Sequence, residues 1–217
     1  MTNISKICDR SSMVEQPVPT GDGGSIPTRS LQLIVEEVPV FLARDFIAKH
    51  HSRLPYTQVG PWKFAFGVFD IDRTLVATAL WHNCSARGLP KSWLELRRMA
   101  IANNSPRNTA SFVLAQMCRW MRKNTSADVV ISYQDVSVHR GTIYKAAGWV
   151  PTTISRPRLR DRSKNRSGTT RKYRSDSNGK HPAASAKIRW QLGLHGQKFD
   201  SLSVAEIETA QNMVATK

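Results

Sequence analysis

The chain has 217 residues, 40% of them hydrophobic, enough for one full apolar core with tails and too few for two comfortable domains. Thirty-two Lys and Arg against sixteen Asp and Glu give a formal charge of +16, a basic excess that points to a polyanionic partner, nucleic acid first. Three cysteines without paired zinc spacing indicate neither a disulfide framework nor structural zinc, and no apolar run approaches the ~20 residues that span a bilayer, so a reducing, cytoplasmic setting without a membrane is expected.

In chain order, Ser11–Gln16 (SSMVEQ) and Gly23–Thr28 (GGSIPT) have the form of a tRNA gene read in frame as protein. The alternative is an ordinary flexible tail rich in Pro, Gly and Ser. Either way residues 1–30 are expected to be disordered and are left out of the fold. Between Val38 and His51, Val40, Phe41, Leu42, Phe46 and Ile47 recur at helical spacing. KFAFGVFD and TLVATALWHN, joined by Ile71, Asp72 and Arg73, read as a hairpin. Trp93–Ile101 is the next strand, and simple alternation places Leu94, Leu96 and Ala100 on one face with Arg98, and Glu95 with Arg97 on the other.

Thr109–Lys123 is the clearest helix: Asn108 or Thr109 is its expected N-cap, Phe112, Val113, Met117 and Met121 its inward face, and Arg119, Arg122 and Lys123 its cationic C-terminal end. Ala127–Tyr133 (ADVVISY) is apolar enough for a central strand, and His139–Ala147 reads as a short helix with Gly148 as its left-handed cap. Arg156–Trp190 holds twelve Lys and Arg against Asp161 and Asp176, and so carries +10 of the total charge. Its residues to 186 are expected to be mobile without a partner. Lys187–Leu194 alternates again as a returning edge strand, and Ser203 with Glu206 forms a capping box for a terminal helix to Met213. The sum is a single α/β domain, residues 33–155 plus the returning strand, with a mixed, largely antiparallel sheet and helices on both sides.

Three constellations carry chemistry. The turn Ser105–Ser111 (SPRNTAS) leads from a strand into the best helix, where free N–H groups and the helix dipole favour phosphate or carboxylate; Arg107, Asn108, Thr109 and Ser111 are the residues placed to bind a cofactor there. Beyond the next strand, Asp135, His139 and Tyr144 offer carboxylate, imidazole and phenol to one pocket. Each has a bland counterpart: a turn-capping Asp, an exposed His, a core Tyr. The basic run (Arg156, Arg158, Arg160, Arg162, Lys164, Arg166, Arg171, Lys172, Arg174) interleaves Tyr173 and ends at Trp190, which suits phosphate neutralisation and an aromatic surface for a base. His82 and Cys84 alone make a poor metal signature and read as structural.

The set His50 and Ser52, Arg98, Pro106-x-Asn108-x-x-Ser111, Ser132-Tyr133-x-Asp135 and His139-x-Gly141-x-Ile143-Tyr144-x-x-Ala147 resembles the phage Mom family, over about His50 to Trp149. That resemblance implies a GNAT acyltransferase-like fold and a phage enzyme, working in the host cytoplasm, that converts adenine in double-stranded DNA to an N6-carbamoylmethyl derivative and so evades host restriction. It implies Arg98, Ser111, Asp135 and Tyr144 as active-site residues, joined by His139 on the reading above. It also implies an association with iron, for which His50 and His139 are the imidazoles expected; His51 departs from the family by standing where Tyr follows the His. In ordinary GNAT enzymes the turn before the helix carries Arg/Gln-x-x-Gly-x-Gly/Ala around coenzyme A. Here Ala110 and Phe112 hold the glycine places, which argues against acetyl-CoA and leaves the donor, acyl or glycine-type, open, as the oligomeric state is. Two rivals remain: a coenzyme-A-dependent N-acetyltransferase, and a non-catalytic DNA-binding phage protein with the same fold.

Overall fold

The computed structural model describes residues 32–51, 60–84, 86, 88–157 and 185–213. The N-terminal segment, Ser52, and Arg158, Arg160, Arg162, Lys164, Arg166, Arg171, Lys172, Tyr173 and Arg174 of the basic run lie outside the described residues. Along the chain come β1 (Ile34–Glu37), α1 (Val40–His50), β2 (Phe64–Phe69), β3 (Leu75–Asn83), β4 (Leu94–Ile101), α2 (Thr109–Asn124), β5 (Val129–Asp135), α3 (Thr142–Ala146), β6 (Val150–Ser155), β7 (Lys187–Gly193) and α4 (Val204–Asn212).

The strands form one seven-stranded sheet in the order β1-β2-β3-β4-β5-β7-β6, and only β4 and β5 run parallel. The expected mixed, largely antiparallel sheet is therefore present, with one correction. β7 is not an edge strand: it lies between β5 and β6, and β6 forms the edge. Pro151 lacks an N–H to donate to a ladder, and an edge strand accommodates it.

The β2–β3 hairpin closes where expected. Asp70 Oδ1 accepts from the backbone N–H of Asp72 (3.0 Å) and Thr74 (2.8 Å), while Arg73 turns through the left-handed region at φ 62°. Ser203 caps α4 as predicted: its Oγ accepts from Glu206 N, and the Glu206 side chain accepts from Ser203 N. The expected side-chain cap of α2 is not made. Asn108 sits in the left-handed region at φ 67°, and Thr109 Oγ1 turns back to donate to Pro106 O at 2.6 Å.

Two apolar layers sandwich the sheet. The larger joins Phe66, Trp81, Leu94, Leu96, Leu114, Met117, Val130, Ile188 and Trp190 beneath α2 and α3; the smaller joins Ala43, Phe46 and Ile47 of α1 to Ala65, Leu80 and Ala100. These memberships correct the alternation in β4. The β3–β4 register shifts between Leu80, opposite Arg98, and Trp81, opposite Leu96, so Arg97 is the extra residue of a β-bulge. The bulge reverses the phase of the strand. Leu94 and Leu96 face α2, whereas Arg98 and Ala100 face α1, the side that Glu95 also occupies.

Candidate active site

The parallel ladder between β4 and β5 is short: Leu94 pairs with Val130, Glu95 with Ile131, Leu96 with Ser132, and there it stops. β4 continues to Ile101 along β3 and β5 to Asp135 along β7, so the two strands part into a wedge at their C-terminal ends. In open α/β sheets such a parting is where ligands are held. The vertex is polar. Ser132 Oγ donates to Leu96 O (3.4 Å) and shares a hydrogen bond with Tyr144 Oη (2.9 Å), bridging the last paired residues. With the Ser132 proton on Leu96 O, the Tyr144 hydroxyl donates to Ser132; burial pushes the phenol above its ordinary range, opposed only in part by that bond, so it stays protonated.

On the α2 side the wedge opens into a cleft of about 310 Å³, lined by Ala102, Ser105, Asn108, Thr109, Ser111 and, from α3, Thr142 among others. In the first turn of α2, Thr109 N donates to Pro106 O and Phe112 N to Asn108 O, leaving the N–H groups of Ala110 and Ser111 at the positions that lack an intrahelical acceptor. Asn108, Thr109 and Ser111, the residues expected to bind a cofactor, thus line the cleft. Arg107 is exposed and not part of the lining, and the contribution of α3 was not foreseen.

A buried brace fixes the loop after β5. Gln134, 1% exposed, accepts from Trp190 Nε1 (2.7 Å) and donates to His139 O (2.5 Å), and Gly141 fits against both at φ 74°. A polar side chain inside an apolar strand was the available signal for it. Trp190 is correspondingly 5% exposed and stacks on Tyr144 with ring centroids 5.4 Å apart, so it offers no surface to a base, contrary to expectation. The loop carries the exposed His139; α3 begins at Thr142, three residues later than predicted.

On the α1 side lie Arg98, His51 and His139. Burial first, then the Arg98 charge and His139, push the His51 imidazole below its ordinary value, so the three groups share one locale and His51 is neutral at pH 7. This corrects the expected imidazole pair. His50 is exposed on the last turn of α1 with its ring 4.2 Å from that of Phe46, and it is His51 that faces His139. Two imidazoles do not complete an iron site: among the described residues there is no group of three or more His, Cys, Asp or Glu placed to hold a metal ion.

Asp135 ends β5 on the same face as Tyr133, and its Oδ1 accepts from Ser137 N (3.1 Å), Ser137 Oγ (2.7 Å) and Ser185 Oγ (2.5 Å). The carboxylate is thereby fixed in orientation and ties the loop to the start of β7. Guanidinium and carboxylate consequently lie on the α1 side and the phenol on the α2 side. The expected single pocket is instead a wedge approached from two faces. Neither described thiol is a nucleophile at neutral pH, since burial raises both Cys84 and Cys118 to about 12.

A model of the Mom protein family matches residues 32–199. No curated protein matches the chain. Among solved structures, a spermidine N-acetyltransferase chimera from Vibrio cholerae and hSSAT superposes with a TM-score of 0.51 at 12% identity, covering 75% of this chain and 96% of its own. A ribosomal-protein-S5-alanine acetyltransferase from Vibrio fischeri gives 0.50 at 12% identity over 77% and 96%, and an IAA acetyltransferase from Bacillus cereus 0.50 at 12% over 74% and 99%. The fold is GNAT-like, as expected.

Proposed function

Because the chain belongs to the Mom protein family, we propose that it is a DNA-modifying transferase that converts adenine to an N6-carbamoylmethyl derivative and so shields phage DNA from host restriction. One observation carries this reading: the family match runs from β1 through β7 and includes every residue of the wedge. The donor lies in the α2 cleft, its anionic end against the first-turn N–H groups of α2 and the Ser111 hydroxyl. Arg98 reaches the carboxylate or phosphate of the reacting groups from the α1 side. Asp135, held by its two serines, orients the adenine amino group or accepts its proton, with His139 beside it as an alternative acceptor. Tyr144, kept protonated by burial, donates towards the leaving group at the vertex. Adenine N6 is engaged in base pairing, so the base must leave the stack to reach the wedge. Arg156 and the basic residues after it hold the duplex meanwhile.

The test is chemical. DNA from cells expressing the protein is digested to nucleosides and weighed; an adenine nucleoside heavier by the carbamoylmethyl increment is expected. An unmodified adenine pool with soluble, folded protein present would remove the reading. The cleft at the α2 N-terminus favours one second reading, an N-acetyltransferase using acetyl-CoA, and calorimetric binding of acetyl-CoA to the full chain would shift the balance to it. Ala110 and Phe112 in that turn predict that no such binding occurs.

A further inference from the structure

Across the α1 face of the sheet, polar side chains form two neighbouring clusters, one on β3 and β4 and one on β5, β7 and β6, with the buried Ile131 opposite Glu95 between them. His82 on β3 is directly opposite Glu95 on β4, Tyr133 on β5 is directly opposite Arg189 on β7, and Arg189 is directly opposite Thr153 on β6. Directly opposed residues share a face, so one side of five adjacent strands carries both. Each cluster is internally connected. Arg97 Nη1 donates to Glu95 Oε1 at 2.8 Å, His82 Nε2 lies 3.7 Å from the same oxygen, and Arg189 Nη2 donates to Thr153 Oγ1 at 2.8 Å. Glu95 is 2% exposed, while Arg97 keeps 37% of its side chain open and Tyr133, Arg189 and Thr153 are half-buried.

The charge of this face is positive. Arg97, Arg98, Lys187 and Arg189 stand against two carboxylates, and of those Glu95 is buried under Arg97 while Asp135 is capped by Ser137 and Ser185. Among the described residues no helix covers β5, β7 and β6 on this side, because α1 packs on β2, β3 and β4, and α2, α3 and α4 join the opposite layer. A guanidinium carries five donors in a planar fork, and Arg97 and Arg189 each commit only part of that set within the protein.

We infer that the sugar-phosphate backbone of the DNA crosses the sheet along Arg97, Tyr133 and Arg189, so that DNA and donor approach the wedge from opposite faces. This rests on the DNA-modifying reading above and adds to it the strand's path. Phosphates pair with the open edges of the two guanidiniums, which position the nucleic acid without reading its sequence. Glu95 acts against that attraction: it fixes Arg97 in place and holds back part of its charge.

The experiment measures duplex DNA binding by the full chain, by fluorescence anisotropy across about 50–200 mM salt, for the wild type, Arg189→Gln, Glu95→Gln and Ser111→Ala. Arg189→Gln retains an amide for Thr153 and is expected to weaken binding and to lower the slope of log K against log salt by roughly 1. Glu95→Gln is expected to tighten binding and steepen the slope, a gain that misfolding cannot imitate. Ser111→Ala, on the donor side, is expected to bind DNA as the wild type does. Unchanged slopes for folded Arg189→Gln and Glu95→Gln, with wild-type binding intact, overturn this path and leave the DNA-modifying reading standing. A wild-type chain that binds no DNA overturns both. Should Glu95→Gln fail to fold, the Arg189→Gln slope decides alone.

Discussion

On the α2 side of the sheet Tyr144, Ser132, Gln134 and Trp190 are buried and close their hydrogen bonds on one another, whereas on the α1 side Arg97, Tyr133 and Arg189 stay half open around the buried Glu95. Both faces are polar at the wedge: among the described residues the α2 side offers backbone N–H groups at the helix start, and the α1 side offers guanidinium donors on the open sheet. The difference teaches what each face is built to do. A closed network fixes the geometry of a cleft with little tolerance, while an open row of guanidiniums adapts to a repeating anion. Substitutions on the two faces should therefore fail differently, the first in stability and the second in binding.

The largest expected effect is on the closed side. A Cβ on Gly141 would lie 2.5 Å from Trp190 Cζ2 and 2.6 Å from Gln134 Oε1, at a φ of 74°. Gly141→Ala should cost roughly 2–4 kcal/mol, from the left-handed backbone and the overpacking together, read as a shift of the denaturant midpoint. A loss below about 0.5 kcal/mol would break the picture of a tight brace. Next comes the junction with the open side. Glu95→Ala leaves His82 and Arg97 without their carboxylate. The cost should be about 2 kcal/mol, under the about 3–5 of a fully buried pair because the Arg97 side chain is 37% exposed, and far-UV dichroism during urea titration would measure it.

Tyr144→Phe separates stability from chemistry at the vertex. One shared hydrogen bond is lost, worth about 1 kcal/mol, and Ser132 retains Leu96 O. If the phenol donates to the leaving group, modified adenine should fall by on the order of 10²-fold or more in a variant that melts close to the wild type. Modification proportional only to the small stability loss would confine Tyr144 to packing.

Most of the scaffold was legible because its signals are local: Asp70 closing the hairpin, Ser203 with Glu206 capping α4, the apolar spacing of α2, Gly148 at φ 78° after α3. What was not legible depends on neighbours in space. An alternating pattern assumes unbroken register, so the bulge at Arg97 moved Ala100 and Arg98 to the α1 face without leaving a mark in the β4 sequence. Pro151 masked β6 as a strand, and with β6 unseen β7 was taken for an edge. Trp190 read as a surface for bases because it follows a basic run, yet register sets it opposite Ser132 in the core. At the site, the residue types at the α2 turn were readable, whereas the face that Arg98 occupies was not. Which histidine it meets depended on where α1 ends: His50 completes the last turn and His51, the first residue beyond it, is extended at φ −82° and ψ 106°.

That placement yields the smallest predicted effect, and the one that isolates the open side. His51 is held below its ordinary value of 6.5 by burial, Arg98 and His139, so the unfolded chain binds the proton more readily than the folded one. Its contribution to stability is present above pH 6.5 and is lost as pH falls through and below that value. Glu95 behaves likewise in a lower window. Burial raises its carboxyl, but His82 and Arg97 outweigh that and hold it below 4.5, so its share is lost only as pH drops beneath 4.5. Denaturant midpoints compared at about pH 7.5 and about pH 5.5 should thus show a small decline in the wild type that His51→Gln flattens and Glu95→Gln does not. If Glu95→Gln flattened that window as well, His51 would not be the group that titrates in it, and the separation of the two α1-side clusters would fail.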